Sequence, residues 1–537
     1  MTLSHILLVL AIAPAAPAAP PTDDVVLRAM KDELERTKGL KLPDAPSPYY
    51  ASYTVIDVEQ VVAEASLGAS VKTQTTKSRA VAPVIRVGSY ELDAVGVPMT
   101  FAPPFLAFED DYDAVRRELW LLSDGAYKNA ALGHRDRETM RAQRTEDPDE
   151  AASFTPHEAV VSIAADVDAT IDRVRLERLA KAVSAELATF EHIQRGEVSV
   201  MATATTRRFA STEGDLGLAH QQVLAIQIGA RTQAEDGEVL GHHTVLYGTL
   251  ADFADDAAPR AAARTLASEL GALRTAPVLE HYSGPVLVEG EAAGEWMVHA
   301  FAPQLVAGMH WGSDFENKLG QSVLPRGVSI VDDPLRDRYG DTPLMGSYRI
   351  DAEGVAAERV ELVKDGKLVG LLAGRTPTKK ITRSNGHGRG TLPGMPPQPA
   401  IGNLVVESSR GLGEAALHKK LLERAKKAGT GFGLVIKRTR GPHAPTVAEK
   451  LHPDGRRELV RIGFVERVEP RAFRDLVALG KTGNVSHQLM MGFGPMGGGM
   501  PAEYAAFVVP ASIVAPAMLF EELEIHRRKG GNPTPPS

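Results

Sequence analysis

The sequence predicts an α+β protein: an N-terminal α/β domain with a mainly antiparallel sheet, followed by a β-rich C-terminal domain. Three observations carry this. Long alternating segments such as Tyr49–Val62 and Ala82–Asp93 are flanked by stretches of helical period. From Gly284 onward glycine and proline rise and short apolar runs recur, among them PVLVEG, GVSIVDD, NLVVESS and FGLVIKR. LVKDGKLVG sets Asp365-Gly366 between two apolar runs, a strong hairpin signal.

In chain order, the first stretch, MTLSHILLVLAIAPAAPAAPP, has an apolar run from Ile6 to Ala13 followed by small residues and prolines. It reads as a signal peptide over residues 1–21, with export to a periplasmic or extracellular location, although no Lys or Arg precedes the run. No other segment approaches a membrane span, so none is expected. Asp24–Thr37 places Val25, Leu27, Met30 and Leu34 near helical spacing, and Asp110–Ala131 and Ile171–Phe190 are amphipathic helices. Arg135–Ser153 is charged and interrupted by proline, which reads as an exposed connection. Val198–Gly248 repeats the order of the earlier strand segment, so two related sheet layers are expected in one domain of residues 22–275. Ala261–Leu273 is a further helix, and residues 276–530 form the second domain, where Leu412–Gly429 is a helix stopped by glycine. Residues 531–537 read as a disordered tail. GHGRGTLPGMPPQP and MGFGPMGGGMP read as flexible or turn-rich loops.

Composition excludes several functions. The 537 residues carry 60 Lys+Arg against 68 Asp+Glu, which gives no electrostatic reason to bind nucleic acid. With no cysteine, disulfides, Cys-ligated zinc, iron–sulfur clusters and thiol nucleophiles are all excluded. A phosphate-binding loop fails because Asp475 stands where the glycine before Gly480-Lys481-Thr482 is required. His242-His243 lies in a strand-like run that turns the two rings to opposite faces, and Ser486-His487 lacks a nucleophile elbow.

The most informative segment is Tyr282–Gly308. A short strand enters a helix on which Glu291, Glu295 and His299 recur at i, i+4 and i+8. Two carboxylates and an imidazole on one stripe suit a divalent cation or acid–base work, and they suit a solvated surface equally well. Asp332-Asp333-Pro334, Asp351 and Glu353-Gly354 read as turn residues, and Arg375 and Asn403 lie beside strands where they could meet a peptide backbone.

The run YSGPVLVEGEAAGE from Tyr282, then DFENKLGQSVLPRGVSIVDDP, DAEGVAAERVELVKDGKLVGLLAGR and NLVVE, resembles the C-terminal half of the TldD/PmbA metallopeptidase family. The N-terminal VIRVGSYELDA and AVRRELWLLSDGAYKNA resemble a TldD-related branch. The resemblance implies two-subunit assembly around a chamber where extended peptides are cut. The family's catalytic subunit carries H-E-x-x-x-H on the corresponding helix, with zinc on the two histidines, glutamate as base and a later cysteine completing the site. Matched to that motif, Gly290 stands at the first histidine, Glu291 at the general base and Glu295 at the second histidine. The pattern is similar to the PmbA-type (TldE) subunit, which lacks the zinc motif. The implied protein is a metallopeptidase-like, peptide-binding chamber subunit with a degenerate zinc site and no cofactor. Its expected partners are peptide or unfolded protein segments and either a second copy or a catalytic TldD-type paralogue. The alternatives are an active peptidase with Glu291 as base and zinc on Glu295 and His299, or a structural envelope protein.

Overall fold

The computed structural model describes residues 24–97, 105–143, 151–165, 170–308, 315–390, 395–439, 444–466, 468–491, 494–495 and 502–527. The expected signal peptide and C-terminal tail, and most of MGFGPMGGGMP, lie outside the described residues.

Asp24 caps α1 (Val25–Thr37) by accepting from the Leu27 amide, as its place before the apolar period requires. Two long strands follow, β1 (Pro48–Ser66) and β2 (Ala69–Gly88), joined at Leu67-Gly68, where both residues have positive φ. The edge strands β3 (Asp93–Gly96) and β4 (Phe105–Leu106) pair with β2 and lead into α2 (Tyr112–Ala142). The helix runs past its expected end at Ala131. Arg135–Ala142 holds no proline, and its charged side chains are exposed on the outside of the helix, so nothing stops it. After β5 (Val161–Ile163) the pattern returns: α3 (Arg173–Ala188), the hairpin β6 (Arg195–Ser211) and β7 (Leu216–Gln233), then β8 (Val239–Gly248) and α4 (Ala257–Leu273).

The two repeats form one sheet, not the two layers expected. β1 pairs antiparallel with β6 from Ser52↔Ser211 to Ser66↔Glu197, giving the order β3-β2-β1-β6-β7-β5 with β8 also on β7. Alternation then sorts the faces. Ala51, Tyr53 and Val55 of β1 pack under α1 and α2, while Val61, Ala63 and Ala65 of the same parity pack under α3 and α4. The opposite face presents Ile56 and Val58 to Ala505–Phe507 of the C-terminal half.

That half is built on a mixed sheet around the 19-residue strand Val508–His526. This strand runs antiparallel to His281–Val288 (β9) and to Ala478–Met491, and parallel to Asn403–Ser408. It is buried along most of its length, which explains its nearly continuous apolar sequence. The hairpin at Asp365-Gly366 forms with both residues at positive φ. α5 (Glu291–Trp296) follows β9, and α6 (Glu414–Ala428) ends at Gly429 in the left-handed conformation. The described part of GHGRGTLPGMPPQP is packed rather than flexible: His387 and Arg389 are buried, and a Cβ on Gly388 would strike Glu353.

Candidate functional site

The Glu291–His299 segment is positioned from the sheet outward. Val286, Leu287 and Val288 of β9 are fully buried between Gly433–Thr439 and Val508–His526. The Glu289 amide then donates to the Ile436 carbonyl at 3.0 Å. Gly290 follows at φ 62°, ψ −136°, a conformation that side chains disfavour, and it turns the chain into α5. The helix is short and passes into a π-helical turn at Met297–Phe301. Its inner face is core: Trp296 is fully buried against Phe520, and Phe301 packs on Phe315 and Phe473. Trp296 is therefore a packing residue. Gly294 lies against the strand Ala478–Met491, where a Cβ would come within 2.1 Å of Ser486 Oγ.

The polar stripe on the outer face divides in two. Glu295 Oε2 lies 3.3 Å from His299 Nε2, and its Oε1 accepts a hydrogen bond from Gln488. Glu291 instead points to Arg438, whose Nη1 donates to it at 2.8 Å. The same guanidinium donates from Nε to Glu269 of α4 at 3.3 Å, and Glu269 lies 3.5 Å from His242 Nε2 on β8. Burial raises the Glu269 carboxyl, but hydrogen bonding to His242 and the charge of Arg438 outweigh it and hold the pKa below its ordinary value. Tyr247 of β8 is pushed up to about 12, chiefly by burial and then by the charge of Glu295. The segment thus faces the N-terminal sheet, with β8 and α4 opposite it.

The other residues singled out in the sequence take up structural roles. His242 is buried, while His243, next along the strand, is half-exposed. His487 Nδ1 is 3.0 Å from Ser512 Oγ, and burial brings its pKa down to about 4; Ser486 instead donates to the Ile513 carbonyl. Asp332 is fully buried and accepts from the amides of Gly402 and Asn403, and Asp351 accepts from those of Glu353, Val355 and Gly388. Both are turn acceptors. Asn403 is fully buried, donating to the Arg336 carbonyl and accepting from the Gly346 amide.

Sequence reasoning missed a buried charged network joining the two halves. Arg375 is fully buried, donates to the Thr155 carbonyl at 2.9 and 2.7 Å, and contacts Glu213 at 2.7 Å. Its guanidinium lies over the rings of Phe154 and Tyr50, so it is closed off from any peptide backbone. His157 bridges Glu213 and Asp215 at 3.3 and 3.0 Å. Burial lowers the His157 pKa, but hydrogen bonds to Asp215 and Glu213 win and raise it to about 9. Glu353 accepts from the Arg375 amide at 2.6 Å, while burial and the nearby Asp351 charge push it up to about 8. The one available sequence signal was charge inside Asp351-Ala352-Glu353-Gly354, where Gly354 has φ 87°.

Among the described residues, two groups of three carboxylate or imidazole side chains place ligand atoms within 4.8 Å of one another: His157 with Glu213 and Asp215, and Glu466 with Glu524 and His526. Glu291, Glu295 and His299 do not form such a group.

Residues 281–452 match the PmbA/TldA metallopeptidase C-terminal domain. A metalloprotease of Methanothermobacter thermautotrophicus is 35% identical over 103 residues, a match spanning 19% of this chain and 21% of that protein. The fold is that of TldE from Thermococcus kodakarensis, with a TM-score of 0.64 at 12% identity, covering 93% of this chain and all of that one. A solved chain from Thermotoga maritima gives a TM-score of 0.58 at 14% identity, covering 89% of this chain and 96% of that one. The motifs from Tyr282 to Glu407 fall within the matched segment, so this chain carries a PmbA/TldA metallopeptidase C-terminal domain and is similar to the TldD/PmbA family there.

Proposed function

We propose that this chain is a peptide-binding chamber subunit of the TldE type, exported, and paired with a histidine-bearing paralogue that performs hydrolysis. The observation that carries this reading is the ion pair between Glu291 and Arg438. A general base must accept a proton from water. The Glu291 carboxylate is instead held by Arg438, which also reaches Glu269, and it does not join Glu295 and His299 in a common cluster.

The residues present do not fit the family's zinc. Gly290 offers no donor, the sequence contains no cysteine, and Glu295 is occupied by Gln488 and His299. What the arrangement offers instead is a polar cluster in which Glu295 meets His299 and Gln488 and its charge reaches Tyr247 of β8. Strand addition and side-chain hydrogen bonds are the natural way to hold an extended peptide in such a place. Among the described residues no helix is long and apolar enough to cross a membrane.

The test is a peptide-hydrolysis assay on the purified chain, alone and with a co-expressed histidine-bearing paralogue. Hydrolysis by the pair only, unchanged by Glu291→Gln in this chain, supports the proposal. Hydrolysis by this chain alone that is lost in Glu291→Gln supports the active-peptidase alternative, for which the contact between Glu295 and His299 speaks. Neither hydrolysis nor peptide binding would leave a structural envelope role.

A further inference from the structure

Arginines buried on the N-terminal sheet have carboxylate partners. Arg79 is bound by Asp57 and Asp110, Arg86 by Asp93, and Arg208 by Asp24 and Asp57. Arg207 is different. It lies on β6 opposite Ile56, so it projects from the face turned away from the helices, where Ile56 packs on Phe507. Two residues on, Phe209 shares this face and touches Gly354, and Gly217, paired with Phe209, meets Ile350. Arg207 therefore enters a seam between the sheet and the loop before Val360–Lys364. Among the described residues it makes no hydrogen bond and no ion pair, although it is only half-exposed.

A second guanidinium stands in the same seam. Arg389 is buried over the ring of Tyr348 and donates to the carbonyls of Ile401 and Pro510 at 3.0 and 3.1 Å. These contacts fix its direction without neutralising it. The charges of Asp332 and Asp351 reach it, but both carboxylates accept from backbone amides and neither pairs with it. Burial, and then the charge of Arg389, pulls Arg207 down to about 10. A half-exposed guanidinium that has no carboxylate partner and stands near a second cation gains from an anion that completes the arrangement.

We propose that this seam is a carboxylate subsite: Arg207 takes a carboxylate of a bound peptide in a bidentate pair, with Arg389 held behind it as a fixed positive charge. The site rests on the peptide-binding reading given above and adds a substrate class to it, peptides that present a terminal or side-chain carboxylate. Guanidinium suits this role because its paired N–H groups match the two carboxylate oxygens, and low local polarity strengthens the contact.

The test is calorimetric titration of the full-length protein with three peptides of one neutral sequence: a free C-terminus, an amidated C-terminus, and an amidated form with one central glutamate. Wild type is expected to bind the first or third about tenfold more tightly than the second, and Arg207→Gln to abolish that preference while keeping the weaker affinity. Arg207→Lys retains part of it. Because Arg207 has no partner to lose, the melting temperature of Arg207→Gln should not fall below that of wild type. Equal affinity for all three peptides overturns the subsite and leaves peptide binding standing. Binding of none overturns the peptide reading and the subsite with it. A marked loss of stability in Arg207→Gln assigns the residue a structural role and also overturns the proposal.

Discussion

Arg438 Nη1 lies 2.8 Å from Glu291, the residue that the resemblance sets at the general-base position, and the same guanidinium reaches Glu269 of α4. One arginine therefore occupies the position's carboxylate and ties the segment to the N-terminal sheet. Glu291 is largely exposed, with 59% of its side-chain surface accessible, so the pair is mainly a device of orientation. Glu291→Gln is expected to change stability by less than about 1 kcal/mol in chemical denaturation and to leave peptide affinity unchanged. A large loss of affinity would place Glu291 among the residues that contact the peptide.

Gly294 is needed for close packing. A Cβ there would come within 2.1 Å of Ser486 Oγ and 3.0 Å of its Cβ. Gly294→Ala should destabilise the protein by about 1–3 kcal/mol in urea unfolding, the usual cost of overpacking. Ser486→Gly in the same chain should recover most of this. No recovery would mean that the strain lies elsewhere.

The network at the junction predicts the direction of pH dependence. His157 is raised to about 9 and Glu353 to about 8, so both bind protons in the folded state that the unfolded chain has released. Their stabilising contribution is complete below the unfolded values and is lost as pH rises, from about 4.5 to 8 for Glu353 and from about 6.5 to 9 for His157. Melting temperature should therefore fall across the window from pH 6.5 to 9. Glu353→Gln, which cannot ionise but still accepts from the Arg375 amide, should flatten the lower part of that slope. An unchanged slope would show that Glu353 does not titrate there.

Arg375 is the cation of this network, fully buried against Glu213. Arg375→Met removes the counter-charge and keeps the bulk, and should cost about 3–5 kcal/mol in equilibrium unfolding. A cost under about 1 kcal/mol would mean that the carboxylates find other partners.

These residues mark how far the sequence could be read. The Asp365-Gly366 hairpin and the helix capped by Asp24 were legible because local chemistry decides them. The repeat was legible too, but its arrangement was not: the pairing of β1 with β6 joins residues about 150 positions apart, and alternation looks the same whether two hairpins stack or share a sheet. The Glu295–His299 contact followed from spacing. The departure of Glu291 did not, because Arg438 arrives from another strand and the helix passes into a π turn after Trp296. Arg375, Glu213 and His157 stayed hidden because buried charges, read singly, resemble turn and surface residues; only their partners reveal them.

The central claim is that this chain holds no catalytic zinc of its own, and metal content tests it most directly. The mature protein would be purified from zinc-replete cells without chelators or metal-affinity resin, and zinc per chain measured by mass spectrometry. The account predicts no stoichiometric zinc in wild type. About one zinc per chain, lost on Glu295→Gln or His299→Ala, would contradict it and make the α5 segment a metal site in its own right.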